Sequence, residues 1–262
     1  MPHKNNLENL EKFIEIIAKL RSPEGCPWDR EQTHSSLREH MLEEAYEAVE
    51  AIELDKDEDL KEELGDVLLQ VVLHSQIASE EKRFSIDDVA KTISEKIIRR
   101  HPHVFGDVKV KGSEEVLVNW DKIKKDEKPE RKSALSGVAK CQPGLMSASE
   151  LSKKAVKVGF EWPNIQSLWD CLQSEIEEFK DATISGNKDE MEDELGDILF
   201  SIVNVARWHG INAELAMLRA NKKFTQRFQM MEQLAPNNLS EYPIEELEEL
   251  WQTAKHELSK KK

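Results

Sequence analysis

Eight carboxylates in this chain fall into two matching sets: Glu44, Glu47, Glu63 and Asp66 in the first half, and Glu175, Glu178, Glu194 and Asp197 in the second. A shift of 131 residues carries every member of the first set onto its counterpart without a gap. Within each set the acids come in pairs three residues apart, which places both members on one side of a helix about a turn from each other. Glu63 follows Glu47 by sixteen positions, and Glu194 follows Glu178 by the same step. That is room to finish a helix, turn and return antiparallel, so that both pairs face one space. Four converging carboxylates offer oxygen ligands to a hard cation, Mg²⁺ in the first place and Mn²⁺ as a substitute. One acidic pair in a chain that is 34% charged is ordinarily a solvent face. Two sets at one offset call for more, because like charges at this spacing repel unless something positive compensates.

The acids need helices, and the apolar periodicity supplies them. Leu7, Leu10, Phe13, Ile14, Ile17 and Leu20 mark a first helix that the breakers of "RSPEGCPW" stop, and a loop runs from there to Ser36. "SLREHMLEEAYEAVEAIEL" and "DLKEELGDVLLQVVLHSQIASE" then form a helical hairpin around the polar "DKDED". "SIDDVAKTISEKIIRRH" is a helix ended by "HPHVFGD", and "SEEVLVNWDKIKKDE" is another. Breakers and charges in "KPERKSALSGVAKCQPG" place a linker over residues 125–143. The second half repeats the order, with helices over 145–158, 165–183 and 189–208 and a final pair in "NAELAMLRANKKFTQRFQMMEQLA" and "PIEELEELWQTAKHELSKK". The fold class is all-α, in two tandem helical domains of residues 1–124 and 144–262. The long apolar stripe of "DILFSIVNVA" and its first-half match call for four-helix-bundle cores completed in a dimer. Gly65 and Gly196, each mid-helix at a cost of about 1 kcal/mol relative to Ala, point to close helix contact.

Composition narrows the partners. Fifty-two acidic against 37 basic residues give a formal net charge of -15, which opposes stable nucleic-acid binding. A small anionic ligand survives this test, because a bound divalent ion reverses the field inside a carboxylate pocket. Cys26, Cys141 and Cys171 form no CxxC pair and suit a reducing interior. No run approaches the roughly 18 apolar residues needed to cross a bilayer, and "MPHKNNLENLEKF" has no apolar leader core. A cytoplasmic protein without membrane association is expected.

"EEAYE" followed by "ELGD", and "SEIEE" followed by "ELGD", resemble the EExxE and ExxD halves of the MazG nucleoside triphosphate pyrophosphohydrolases, members of the all-α NTP pyrophosphatase superfamily. "GCPWDREQTHSSL", "RRHPHVFGD", "VGFEWPN" and "ANKKFTQRF" extend the resemblance over nearly the full chain. It implies Mg²⁺-dependent conversion of nucleoside triphosphates to monophosphates and pyrophosphate with broad base tolerance, in nucleotide-pool control or house-cleaning. It also implies a homodimer whose C-terminal domain is the main catalytic one. Carried onto this chain, the catalytic metal ligands are Glu175, Glu178, Glu194 and Asp197, with Glu44, Glu47, Glu63 and Asp66 as first-domain counterparts. The first acid of EExxE is Glu43 in one domain and Ser174 in the other; the later acids of that helix are expected to suffice.

Lys222, Lys223 and Arg227 are the cations expected to meet the outer phosphates; Trp251, Trp169 and Phe179 are candidate flat surfaces for the base, of which the resemblance favours Trp251. The first domain offers Lys96, Arg99 and Arg100 at a different offset. Trp162 and Trp28 read as core or loop anchors, and His34, His101 and His103 lack zinc-site spacing. The competing function is a non-catalytic nucleotide- or partner-binding helical protein.

Overall fold

The computed structural model describes residues 7–127, 129 and 132–260. Outside them lie residues 1–6, part of the leader reading, residues 128, 130 and 131 of the expected linker, and residues 261 and 262. The chain divides into two compact units, residues 1–127 and 128–262.

The first unit runs α1 (Glu8–Leu20), α2 (Pro27–Glu31), α3 (Arg38–Leu54), α4 (Asp57–Glu80), α5 (Ile86–Arg100), α6 (Pro102–Phe105) and α7 (Ser113–Asp126). The single-turn helices α2 and α6 fall where loops were expected. Each opens on a proline, whose fixed φ and missing N–H suit the first helical position. After α1 the chain turns back at Gly25, where a Cβ would lie 2.2 Å from the Leu20 carbonyl oxygen. Only glycine fits there, and the approach lets the Cys26 N–H donate to that same oxygen at 2.8 Å. Ser85 and Asp88 form a capping box that starts α5. The core joins Ile17 of α1, Leu37, and Val72, Leu73 and Ile77 of α4.

The second unit runs α8 (Gly144–Val156), α9 (Ile165–Ser185), α10 (Lys188–Trp208), α11 (Ala213–Leu234), a 3₁₀ turn (Leu239–Glu241) and α12 (Ile244–Lys260). Asn164, Asn187 and Asn212 cap α9, α10 and α11 with side chains that accept backbone N–H groups of the first turn. Helix α8 packs on α10, and α11 packs on α8 and α12. Leu168, Val203, Met231 and Ala254 are buried. This core includes a polar pair: the Ser152 hydroxyl donates to Asn204 Oδ1 at 2.6 Å, out of solvent.

In both units the acid-bearing helices form an antiparallel hairpin, α3 with α4 and α9 with α10. Each hairpin turns through a left-handed residue, Asp55 (φ 54°) in one and Gly186 (φ 73°) in the other, and these two positions are again 131 apart. The close contact expected at Gly65 and Gly196 is not found. A Cβ at either would meet nothing within 4 Å, because both lie on exposed helix faces turned away from their hairpin partners. Among the described residues, no helix is long and apolar enough to cross a membrane.

Arg99 Nε and Arg100 Nη2 donate to the Glu127 carboxylate at 2.7 and 2.5 Å, holding its carboxyl well down from the usual 4.5, to about 2. A depressed carboxyl stabilises the fold fully above its unfolded pKa, and that contribution disappears as pH falls through the folded value. The first unit should therefore lose stability between about pH 4.5 and 2. Glu127→Gln should be less stable by about 1 kcal/mol at neutral pH and should show a shallower loss across that window. Urea midpoints measured by circular dichroism as a function of pH test this; parallel profiles for the two proteins would refute it.

Candidate active site

Helix α9 supplies Glu175, and α10 supplies Glu194 and Asp197; one carboxylate oxygen of each lies within 4.8 Å of the others. In the first unit Glu44 on α3 and Glu63 and Asp66 on α4 form the same triad within the same limit. Among the described residues these are the only groupings of three or more such ligands. The hairpin register produces both, since a two-residue turn returns the second helix with its acids facing those of the first.

The triads are electrostatically loaded. Partial loss of solvent, then Glu178, Glu175 and Asp197, raise the Glu194 carboxyl above its ordinary range. Burial followed by Glu47 and Asp66 does the same to Glu63, and burial followed by Asp66 and Glu47 to Glu44. Glu47 and Glu178 thus lie outside the triads but close enough to act on them. Among the described residues no Lys or Arg pairs with any triad acid. An all-oxygen donor set with uncompensated like charge fits a hard divalent cation.

Ser174, in the place of Glu43, donates to Glu178 Oε1 at 2.9 Å. Glu43 lies 3.5 Å from His40 Nδ1, and neither Glu43 nor Ser174 joins a triad. The thiol of Cys171, one turn before Glu175, reaches Glu175 Oε1 at 3.5 Å, and burial above all raises its pKa. The i, i+4 spacing was the available signal for that contact.

Glu175 and Asp197 open onto a cavity of about 620 Å³, walled by apolar groups from α8 and α10 and by Phe160 and Trp162 of the "GFEWPN" segment. Arg207 clamps that segment through Glu161, with Nη1 and Nη2 donating to its two carboxylate oxygens at 2.7 and 2.6 Å. This pairing is the first cause of the lowered Glu161 carboxyl. Trp162 is therefore a cavity wall rather than a core anchor. Trp28 is not an anchor either: it is 57% exposed on a single-turn helix that buries no residue.

Lys222, Lys223 and Arg227 lie on α11, and none of them, nor Trp251, lines the cavity. Trp251 is engaged by its neighbours, with the Arg227 guanidinium 5.5 Å over its ring and Phe224 at 5.3 Å between centroids. Trp169 and Phe179 are on α9, and Trp169 is half exposed. In the first unit Arg99 and Arg100 are committed to Glu127, while Lys96 lines a separate groove beside Phe84. His34 stacks on His74, while His101 meets His103 at a tilt and Trp120 edge-on, and none of these histidines joins a triad.

Comparison with known proteins adds an independent line. The profile of the MazG nucleotide pyrophosphohydrolase domain matches twice, over residues 32–105 and 164–231. The nucleoside triphosphate pyrophosphohydrolase/pyrophosphatase MazG of Thermotoga maritima is 45% identical over 249 residues, spanning 94% of this chain and 95% of the relative. The Escherichia coli nucleoside triphosphate pyrophosphohydrolase is 39% identical over 261 residues, 96% of this chain and 98% of its own. The uncharacterized protein YabN of Bacillus subtilis is 47% identical over 248 residues, which cover 93% of this chain and 51% of YabN.

Proposed function

The chain belongs to the MazG nucleotide pyrophosphohydrolase family and is a nucleoside triphosphate hydrolase, and from that premise we propose Mg²⁺-dependent cleavage to nucleoside monophosphate and pyrophosphate. The reading extends to broad base tolerance, a cytoplasmic setting and a role in nucleotide-pool control or house-cleaning. The observation that carries it is the carboxylate triad, paired with no Lys or Arg among the described residues, two of whose acids, Glu175 and Asp197, line an aromatic-walled cavity.

In this reading Glu175, Glu194 and Asp197 hold the metal, and the corresponding first-unit acids Glu44, Glu63 and Asp66 bind one too. The bound ion supplies Lewis-acid polarisation of phosphate oxygens and neutralises the acids that would otherwise repel the substrate. Glu178, outside the triad and held by the Ser174 hydroxyl, accepts a proton from the water that attacks the α-phosphorus. The bond from that phosphorus to the α,β-bridging oxygen breaks, and pyrophosphate leaves. Lys222, Lys223 and Arg227 meet the outer phosphates, and Trp251, under the Arg227 guanidinium, is the flat surface for the base.

The protein also acts as a homodimer. Leu195, Leu199 and Ile202 are 46%, 42% and 45% exposed along one stripe of α10, and Leu64 and Leu68 repeat it on α4. A second copy of the chain covers such stripes by completing four-helix packing.

Purified protein with Mg²⁺ and a panel of nucleoside triphosphates tests the activity. Monophosphate and pyrophosphate should appear in equal amounts. Diphosphate with inorganic phosphate, or binding without any product, would sink the reading.

A further inference from the structure

We infer that His34, His74 and Arg83 form a proton-operated latch, which pins the segment before α3 to α4 at neutral pH and releases it in mild acid. His34 stands in that segment and His74 on α4; their rings are nearly parallel, 5° between planes, with centroids 5.0 Å apart. Their Nδ1 atoms are 2.7 Å apart, so one proton lies between them. On the other side of His34, Arg83 Nη2 stands 2.5 Å from Nε2.

These contacts fix the tautomers. A guanidinium only donates, so His34 Nε2 is the bare, accepting nitrogen and the ring proton sits on Nδ1. That N–H donates to His74 Nδ1, which leaves His74 protonated at Nε2. The relay runs one way, from Arg83 to His34 to His74, with both imidazoles neutral. A further proton on His34 would have to sit at Nε2, facing the Arg83 donor, and on His74 at Nδ1, facing the His34 N–H. Either breaks a contact.

The surroundings do not compensate an imidazolium. Arg21, just past α1, is spent on Glu80 and on the Asp29 and Gln32 carbonyls. Arg30 of α2 donates to the Pro23 carbonyl, and Arg38 of α3 to the Ser35 carbonyl. Asp88 of α5 is held in the Ser85 cap, and Glu81 pairs with Arg83. Glu31, Glu80 and Glu81 border the cleft at His34, yet among the described residues no carboxylate pairs with either ring. Burial first, then His34, pushes the His74 imidazole below its ordinary 6.5. The neutral ring therefore stabilises the fold fully above pH 6.5, and that contribution is lost as pH falls from there toward the folded value.

The second unit has the same frame without the latch. At the positions 131 residues later, Ile165, Val205 and Glu214 stand for His34, His74 and Arg83. Thr33 and its counterpart Asn164 still do the same work, each accepting the backbone N–H three residues on. Ile165 and Val205 are half-buried and have no proton to gain. In the first unit the latched segment ends on Leu37, which is 1% exposed in the core with Ile17 and Val72, so release loosens that core from one edge.

Amide hydrogen exchange on the full-length protein, read by mass spectrometry and corrected for the intrinsic pH dependence, tests the latch. From about pH 7.5 to about 5.5 the protection of residues 33–37 should fall about ten-fold or more, while residues 164–168 keep theirs. The double variant His34→Ile, His74→Val, which borrows the second unit's side chains, should lose that fall. Arg83→Met, a milder change, lets His34 Nε2 take a proton without breaking the bond to His74, so the fall should shrink several-fold. Imidazole nitrogen spectra of the parent at about pH 7.5 should show His34 protonated at Nδ1 and His74 at Nε2. Unchanged protection in the parent, an equal fall over residues 164–168, a variant that folds and keeps the parent's fall, or both rings protonated at Nε2 would each overturn the proposal.

Discussion

Glu194→Gln should lower kcat for triphosphate hydrolysis by about a thousand-fold, whereas Glu63→Gln should leave most of it. The amide keeps size and shape but removes one negative charge from a triad spanning 4.8 Å. Losing a metal ligand at the reacting phosphate costs several kcal/mol of transition-state stabilisation, which is about three decades in rate. Helical content should be unchanged, since among the described residues no Lys or Arg pairs with Glu194 and its surroundings are like-charged acids. The asymmetry between the units comes from what surrounds equal triads. In the first unit the arginines at the end of α5 are taken by Glu127, and Leu73 fills the space beside α1. In the second, α11 carries Lys222, Lys223 and Arg227, and the cavity beside Glu175 and Asp197 stays open. Glu43 against Ser174 argues the other way, but neither residue belongs to its triad. Steady-state rates of the two variants decide it: a Glu63 variant that loses most activity beside a Glu194 variant that does not would reverse the assignment.

The double variant Leu195→Glu, Leu199→Glu should sediment at the 30.2 kDa of one chain, while the parent sediments at twice that mass at micromolar concentration. Both leucines are already more than two-fifths exposed in the single chain, so charge there costs the isolated fold little. In the dimer each would be buried against the partner, where an unpaired carboxylate is strongly unfavourable. A parent that runs only as a single chain would refute the dimer outright. A variant that keeps the parent's mass would move the interface off this stripe.

The hairpins were legible in the sequence because two independent periodicities agree on them: apolar residues at helical spacing, and acids repeating at one offset. Helices α2 and α6 were not, since one turn led by a proline is too short to show any period. Gly65 and Gly196 were misread for another reason. What a glycine permits depends on what stands opposite, and α4 and α10 turn these positions outward. The cavity escaped notice because its parts are scattered: Phe160 and Trp162 come from the segment before α9, Asn204 and Arg207 from the end of α10, and Ser152 from α8. Each alone looks like an ordinary loop aromatic or helix polar residue. Only the Leu73 to Asn204 difference, an apolar position turned polar inside an otherwise matching run, was available to mark it.

The paired left-handed turns at Asp55 and Gly186 act as phase settings. A helix advances about 100° per residue, so one residue inserted at either turn would rotate the returning helix by more than a quarter circle and swing Glu63 and Asp66, or Glu194 and Asp197, away from the acid across from them. Composition has drifted between the copies, Asp against Gly at the turn itself and Glu against Ser at 43 and 174, while the interval from Glu44 to Asp66 and from Glu175 to Asp197 is the same to the residue. Length in this stretch works like the timing of two meshed gears: teeth can be recut, but none can be added.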